Sequence, residues 1–223
     1  MLDFKGFLKQ RSLASKILEA SNTIHKKGRI GIADHIFLNE GKEEKAKYSY
    51  GCVMLDVTNG DSIDIIRKMQ DEISDEDLYN DPENPNRFGK QDDVHITALY
   101  GLVSEQDDED AATPEDVEKV IMQYEPFTVQ ISEISMFDNE KFDVVKIAVI
   151  PSEELIALHE ELKEFPYKSD YDAYVPHITL AYCLKGTGEK YLKKFKDVIT
   201  IEDIKDVTYS TADKQKFHYV LNA

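Results

Sequence analysis

Two six-residue runs in this chain carry the same chemistry: His95-Ile96-Thr97-Ala98-Leu99-Tyr100 and His177-Ile178-Thr179-Leu180-Ala181-Tyr182. Both lie in apolar, β-favouring stretches, where side chains two residues apart share a face. Each run therefore offers an imidazole and a hydroxyl together, with Ile turned the other way. Imidazole titrates near neutrality, so one ring can accept a proton while its partner supplies one. On a phosphodiester, one histidine would deprotonate the attacking oxygen and the other would protonate the departing oxygen. Thr97 and Thr179 would donate hydrogen bonds to the non-bridging oxygens as charge builds there. Which histidine is the acid and which the base stays open at this level. Tyr100 and Tyr182 stand an odd number of residues from their histidines, so a regular strand turns them toward the core.

The elements that must hold these residues follow from periodicity. Tyr48–Thr58 reads as a strand and Ser62–Glu72 as a helix, followed by a long irregular loop over Ile73–Asp93. Val94–Val103 is the first motif strand, and the acidic run Ser104–Ala112 is a solvated loop. Thr113-Pro114-Glu115-Asp116 opens a helix with a cap and an N-terminal proline. Phe127–Phe137 and Phe142–Ile150 form a hairpin, Pro151–Phe165 a helix, and Val175–Cys183 the second motif strand. A short helix at Lys190–Lys196 and strands at Val198–Ser210 and Phe217–Leu221 close the chain. The motifs stand 82 positions apart in matching strand–helix–strand units, which indicates an internally duplicated, bilobal α+β fold. Antiparallel sheets would form a central cleft with helices outside.

Charge and composition narrow the partners. The 223 residues carry a formal net charge of −17. A surface this acidic repels long polyanions, which bind through Lys and Arg, but it accommodates a small nucleotide in a local pocket. Residues 1–47 differ, with 10 Lys and Arg against 6 Asp and Glu. We read 1–47 as an N-terminal helical extension, amphipathic over residues 3–27, that docks on the main domain or binds a partner; 48–223 is that domain. No apolar run is long enough to span a bilayer, and the N-terminus lacks a secretory layout. Cys52 and Cys183 show no metal-ligand spacing, so free thiols in the cytoplasm are expected. No carboxylate–histidine cluster suggests a metal, and the expected reaction needs no cofactor.

Paired His-x-Thr motifs on equivalent strands of a bilobal α+β fold resemble the two-histidine phosphoesterase superfamily. The resemblance covers about residues 48–223. The run Tyr171-Asp172-Ala173-Tyr174-Val175-Pro176-His177-Ile178-Thr179-Leu180-Ala181-Tyr182 looks like the second motif of phage members that destroy the cyclic nucleotide signals of bacterial immunity (anti-CBASS phosphodiesterases). RNA-directed relatives often carry Arg five positions after the second motif histidine, where this chain has Tyr182. The resemblance thus implies catalytic His95 and His177, phosphate-binding Thr97 and Thr179, and a small cyclic di- or oligonucleotide substrate, in the host cytoplasm if phage-encoded. The alternatives are an RNA 2′,3′-cyclic phosphate or 2′–5′ linkage as substrate, or a non-enzymatic nucleotide-binding or virion-associated module. Tyr50, Phe137 and Tyr174, near the motif strands, are candidates for base stacking. Lys185 reads as a surface lysine. Among the remaining histidines (His25, His35, His159, His218), only His218, on the final strand, is placed to border the cleft.

Overall fold

The structure is a computed structural model and describes residues 50–82, 88–103, 109–169, 173–195 and 200–222. The 1–47 extension with its amphipathic helix, the centre of the 73–93 loop and most of the acidic run lie outside the described residues.

The chain runs β1 (Gly51–Asp56), α1 (Gly60–Asp71), β2 (His95–Leu102), α2 (Pro114–Ile121), β3 (Phe127–Asp138), β4 (Phe142–Ile150), α3 (Glu153–Leu162), β5 (His177–Leu184), α4 (Glu189–Lys194), β6 (Thr200–Ile204), β7 (Asp206–Ser210) and β8 (Lys216–Val220). The first three helices start where side chains satisfy free backbone N–H groups. Asn59 accepts from the Asp61 amide, Ser152 from the Leu155 amide, and Thr113 with Asp116 forms a capping box ahead of Pro114. No helix among the described residues is long and apolar enough to cross a membrane.

Two four-stranded antiparallel sheets result, ordered β2-β1-β7-β8 and β5-β4-β3-β6. The fold is α+β, as expected. Each motif strand is the outermost of its sheet, and β2 and β5 lie against each other. One apolar cluster runs through both sheets and the helices, including Leu55, Ile96, Ile147, Ile178 and Leu158. The helices cover this apolar face and leave the opposite faces to the histidines. Their attachment is crossed. α1, from the first half of the chain, packs on β5, and α3, from the second half, packs on β2.

Two expectations are corrected. Val198–Ser210 is not one strand: β6 belongs to the second sheet and β7 to the first, with Lys205 between them. Alternation persists across such a crossing, so periodicity does not register it. Nor are the described parts of 73–93 an irregular loop. Leu78 and Lys90 bridge Cys183 and Ala181, and the Tyr79 and Gln91 amides donate to the Tyr182 and Leu180 carbonyls at 3.0 and 3.1 Å. This segment covers the outer edge of β5. On β2 the same job falls to Pro166–Lys168, where the Lys168 amide donates to the Gly101 carbonyl at 2.9 Å. Covering an edge satisfies its ladder groups and blocks pairing with other chains. Gly101 is required there: its φ is +114°, and a Cβ would stand 2.0 Å from the Lys168 carbonyl oxygen.

Candidate active site

The two motif strands are built alike to the residue. The β1–β2 ladder pairs Asp56 with His95, Leu55 with Ile96 and Met54 with Thr97, then steps over Ala98 to pair Val53 with Leu99. The β4–β5 ladder pairs Ala148 with His177, Ile147 with Ile178 and Lys146 with Thr179, then steps over Leu180 to pair Val145 with Ala181. One extra residue at the same motif position resets the alternation of faces. Tyr100 therefore falls opposite Cys52, and Tyr182 opposite Val144, on the faces that carry His and Thr. The expectation that both tyrosines turn into the core is thereby corrected, because a strict period of two cannot see a bulge.

A bulge frees a backbone carbonyl, and buried carbonyls need donors. His159 on α3 donates from Nδ1 to the Ala98 carbonyl at 2.7 Å, and Gln70 on α1 donates from Nε2 to the Leu180 carbonyl at 3.0 Å. Each helix thus secures the motif strand of the other half. Tyr174 joins the first of these contacts, with its ring stacked on His159 at 3.9 Å and its hydroxyl donating to the Thr97 carbonyl at 2.9 Å. Its ring thus packs against α3 and the first motif strand, which corrects the expectation that it stacks on a base. Tyr50 meets Tyr100 edge-on at 6.2 Å, at the end of β1 remote from His95. Phe137 meets the His177 ring edge-on at 5.0 Å.

Both imidazoles are oriented by the same device. His95 Nδ1 lies 2.8 Å from the Asp93 carbonyl and His177 Nδ1 lies 2.8 Å from the Val175 carbonyl. A carbonyl only accepts, so each ring is protonated at Nδ1, and Nε2 is the nitrogen left for proton transfer. The segment leading into His95 is pinned from three sides. Arg67 donates to the Gln91 and Asp92 carbonyls, Gln70 to the Gln91 carbonyl at 2.7 Å, and Lys216 pairs with Asp93 at 2.6 Å.

The settings of the two rings differ. Burial lowers the pKa of both, because the charged form loses water. For His177 it acts together with the Lys146 ammonium, then with the charge of His95 itself, and the ring falls to about 4. For His95 burial is opposed by the carboxylates of Asp56 and Asp93, while Lys216 acts with burial. Behind Asp56 runs a short chain of hydrogen bonds. Thr208 donates its hydroxyl hydrogen to Asp56 at 2.7 Å, so its oxygen accepts from His218 Nδ1 at 2.9 Å. His218 therefore does border this face. A recess of about 270 Å³ opens beside it, lined by Met54, Asp56, Asp93, Thr208, Lys216 and His218 among others.

Lys146 is the functional candidate that sequence reading misses. It is 2% exposed, yet it shares a face with His177 and Thr179. Its signal is present, since it is a single lysine inside Phe142–Ile150, a strand buried almost throughout. Lys185, read as a surface residue, pairs with Asp138 and Asp143. Cys52, whose thiol burial pushes up to about 12, lies within hydrogen-bonding reach of Thr97, and both Cys52 and Cys183 are free.

Two histidines and two threonines thus stand on the edge strands of two sheets that lie against each other, with no hydrogen bond to either Nε2 among the described residues, the equipment for acid–base attack on phosphorus. Among solved structures the chain is similar to E. coli LigT complexed with 3′-AMP, at 12% identity and a TM-score of 0.49, over 79% of this chain and 100% of that one. It is also similar to TT0787 of Thermus thermophilus, at 14% identity and a TM-score of 0.47, over 78% and 95%. A third similar structure, a phosphoesterase, has 12% identity and a TM-score of 0.45, over 78% and 99%. No curated protein matches. The family model of the 2′-5′ RNA ligase superfamily matches residues 62–202, a span that takes in both motifs. The chain belongs to that superfamily, the two-histidine phosphoesterases, and is an enzyme acting on phosphodiester bonds.

Proposed function

We propose that this enzyme cleaves small cyclic di- or oligonucleotide messengers without a metal, with His177 as general base and His95 as general acid. The observation that carries the assignment is the opposed charge around two rings held in the same way. His177, buried beside an ammonium, stays neutral and can take a proton. Nε2 of His177 removes the proton from the attacking oxygen, either water or a ribose 2′-hydroxyl. The new P–O bond forms in line as the P–O bond to the leaving oxygen breaks. His95, facing Asp56 and Asp93, is the ring better able to hold a proton, and its Nε2 delivers that proton to the leaving oxygen. Thr97 and Thr179 hold the non-bridging oxygens. The recess beside Asp56 and His218 receives the nucleoside on the leaving side, and Tyr50 and Phe137 border the strands along which bases would lie, whereas the Tyr174 ring is taken up by its stack on His159.

A small substrate fits a chain of net charge −17 with Tyr100 and Tyr182, rather than a cation, five positions after each histidine. Unpaired Cys52 and Cys183 fit a reducing cytoplasm. The test is a product assay in EDTA across cyclic dinucleotides, cyclic trinucleotides, 2′,3′-cyclic-phosphate RNA ends and 2′–5′-linked oligonucleotides. Linear products from the cyclic messengers are expected, with losses of about 10³-fold or more for His95→Ala and His177→Ala. Turnover confined to the RNA substrates would replace the messenger reading. Turnover surviving both substitutions would remove the mechanism.

A further inference from the structure

The buried lysine asks for an anion. Lys146 sits mid-strand in β4, with Ser135 opposite it on β3 and Thr179 opposite it on β5. Its Nζ donates to Ser135 Oγ at 2.8 Å and stands 4.3 Å from the centre of the Phe137 ring, the ring that also contacts His177. An ammonium has three donors. Among the described residues Ser135 is the one hydrogen-bond acceptor it reaches, and no carboxylate lies within ion-pair distance. Glu133, on β3, acts on it only through space. Burying a cation without a counter-charge destabilises the fold, and an apolar residue of similar size would remove that cost. Its cost also falls on the catalytic face, where its charge makes His177 harder to protonate.

We propose that Lys146 is a third catalytic group, whose ammonium binds a non-bridging oxygen of the reacting phosphate beside Thr179. The motifs themselves bring hydroxyls and imidazoles but no fixed cation, and Lys146 supplies one from the interior of the sheet. The bound phosphodiester is then the counter-ion that the free protein lacks. The same charge keeps His177 neutral until the substrate arrives. Burial lowers the ammonium to about 8, so it is largely charged at neutral pH and loses its proton above that value. The groups facing it are Ser135, Phe137 and Glu133 from β3 and Thr179 and His177 from β5. This assignment rests on the phosphodiester reading of the same cleft.

The experiment uses the full chain, with Lys146→Met and Lys146→Arg. Three readouts are followed: thermal unfolding, binding of inorganic phosphate, and titration of the His177 ring by nitrogen NMR. Lys146→Met should unfold no lower than the parent protein, because it removes an uncompensated buried charge. It should bind phosphate at least tenfold more weakly, and its His177 should titrate at higher pH. Lys146→Arg should recover part of the phosphate affinity. On a diester that the parent protein turns over, Lys146→Met should lower kcat about 10²-fold with a smaller change in KM. Phosphate affinity within twofold of the parent, or a large fall in unfolding temperature with His177 unmoved, would overturn the proposal and leave Lys146 a packing residue. Phosphate binding and the His177 titration need no turnover. They therefore judge Lys146 even if the enzyme proves inactive on every diester tried.

Discussion

The two motif strands share sequence, bulge position, burial order and the carbonyl that orients each histidine, yet the strands beside them differ. In the first sheet β1 presents Cys52, Met54 and Asp56 to the cleft, backed by Thr208 and His218. In the second, β4 presents Val144, Lys146 and Ala148, backed by Ser135 and Phe137. Duplication supplies two rings in one geometry, which alone would give them one pKa. The neighbouring strands then pull them apart, a carboxylate beside one and an ammonium beside the other. Acid–base catalysis needs that divergence, and it resides entirely outside the repeated motif.

The contrast can be broken at several points. The largest effect concerns the threonines. Thr97 faces Met54, so in the proposed mechanism its hydroxyl would hold the phosphate without a neighbouring cation, whereas Thr179 has Lys146 beside it. Steady-state kinetics should show Thr97→Val losing about 10²-fold or more in kcat and Thr179→Val only about tenfold. Equal losses would mean that the lobes do not divide the phosphate as described. Next come the braces. Gln70→Ala and His159→Ala each leave a bulge carbonyl without its side-chain donor, and denaturant unfolding should register about 1–3 kcal/mol for each. The Leu180 carbonyl keeps the Gln91 amide, so Gln70→Ala should be the milder of the two.

The smallest effect sharpens the electrostatic difference. The proposed roles require neutral His177 and protonated His95. Activity should therefore fall as pH drops toward about 4 and fall again as pH rises through the His95 pKa, which burial holds below 6.5. Asp56→Asn removes a charge that favours protonated His95, so the basic limb should move to lower pH, readable as a roughly threefold loss on that limb. The acidic limb belongs to His177 and should stay in place. Movement of both limbs would show that the rings titrate as one coupled pair rather than as separate acid and base.

Much of this is legible in the chain because strands and helices announce themselves by period. His95, Thr97, His177 and Thr179 share a face as a two-residue repeat requires, and the Thr113–Asp116 cap opens its helix where expected. What escapes is whatever depends on a partner strand. The bulges at Ala98 and Leu180 exist only relative to β1 and β4, so period alone assigns Tyr100 and Tyr182 to the wrong face. Lys146 looks like one polar interruption in an apolar run, and only its register with Thr179 and Ser135 gives it a place in the site. The crossing at Lys205 likewise leaves local alternation intact while moving the chain to another sheet.

The crossed helices make the molecule resemble a domain-swapped dimer whose two subunits have been joined end to end. In such an arrangement each half seats a helix on the motif strand of the other, and the segment that follows each helix bonds along the outer edge of that same strand. The spacing between the imidazoles then rests on how α1 seats on β5 and α3 on β2, together with those edge pairings. The stretches between helix and motif differ in length in the two halves, while the width of the cleft is held by the interior of a closely packed solid.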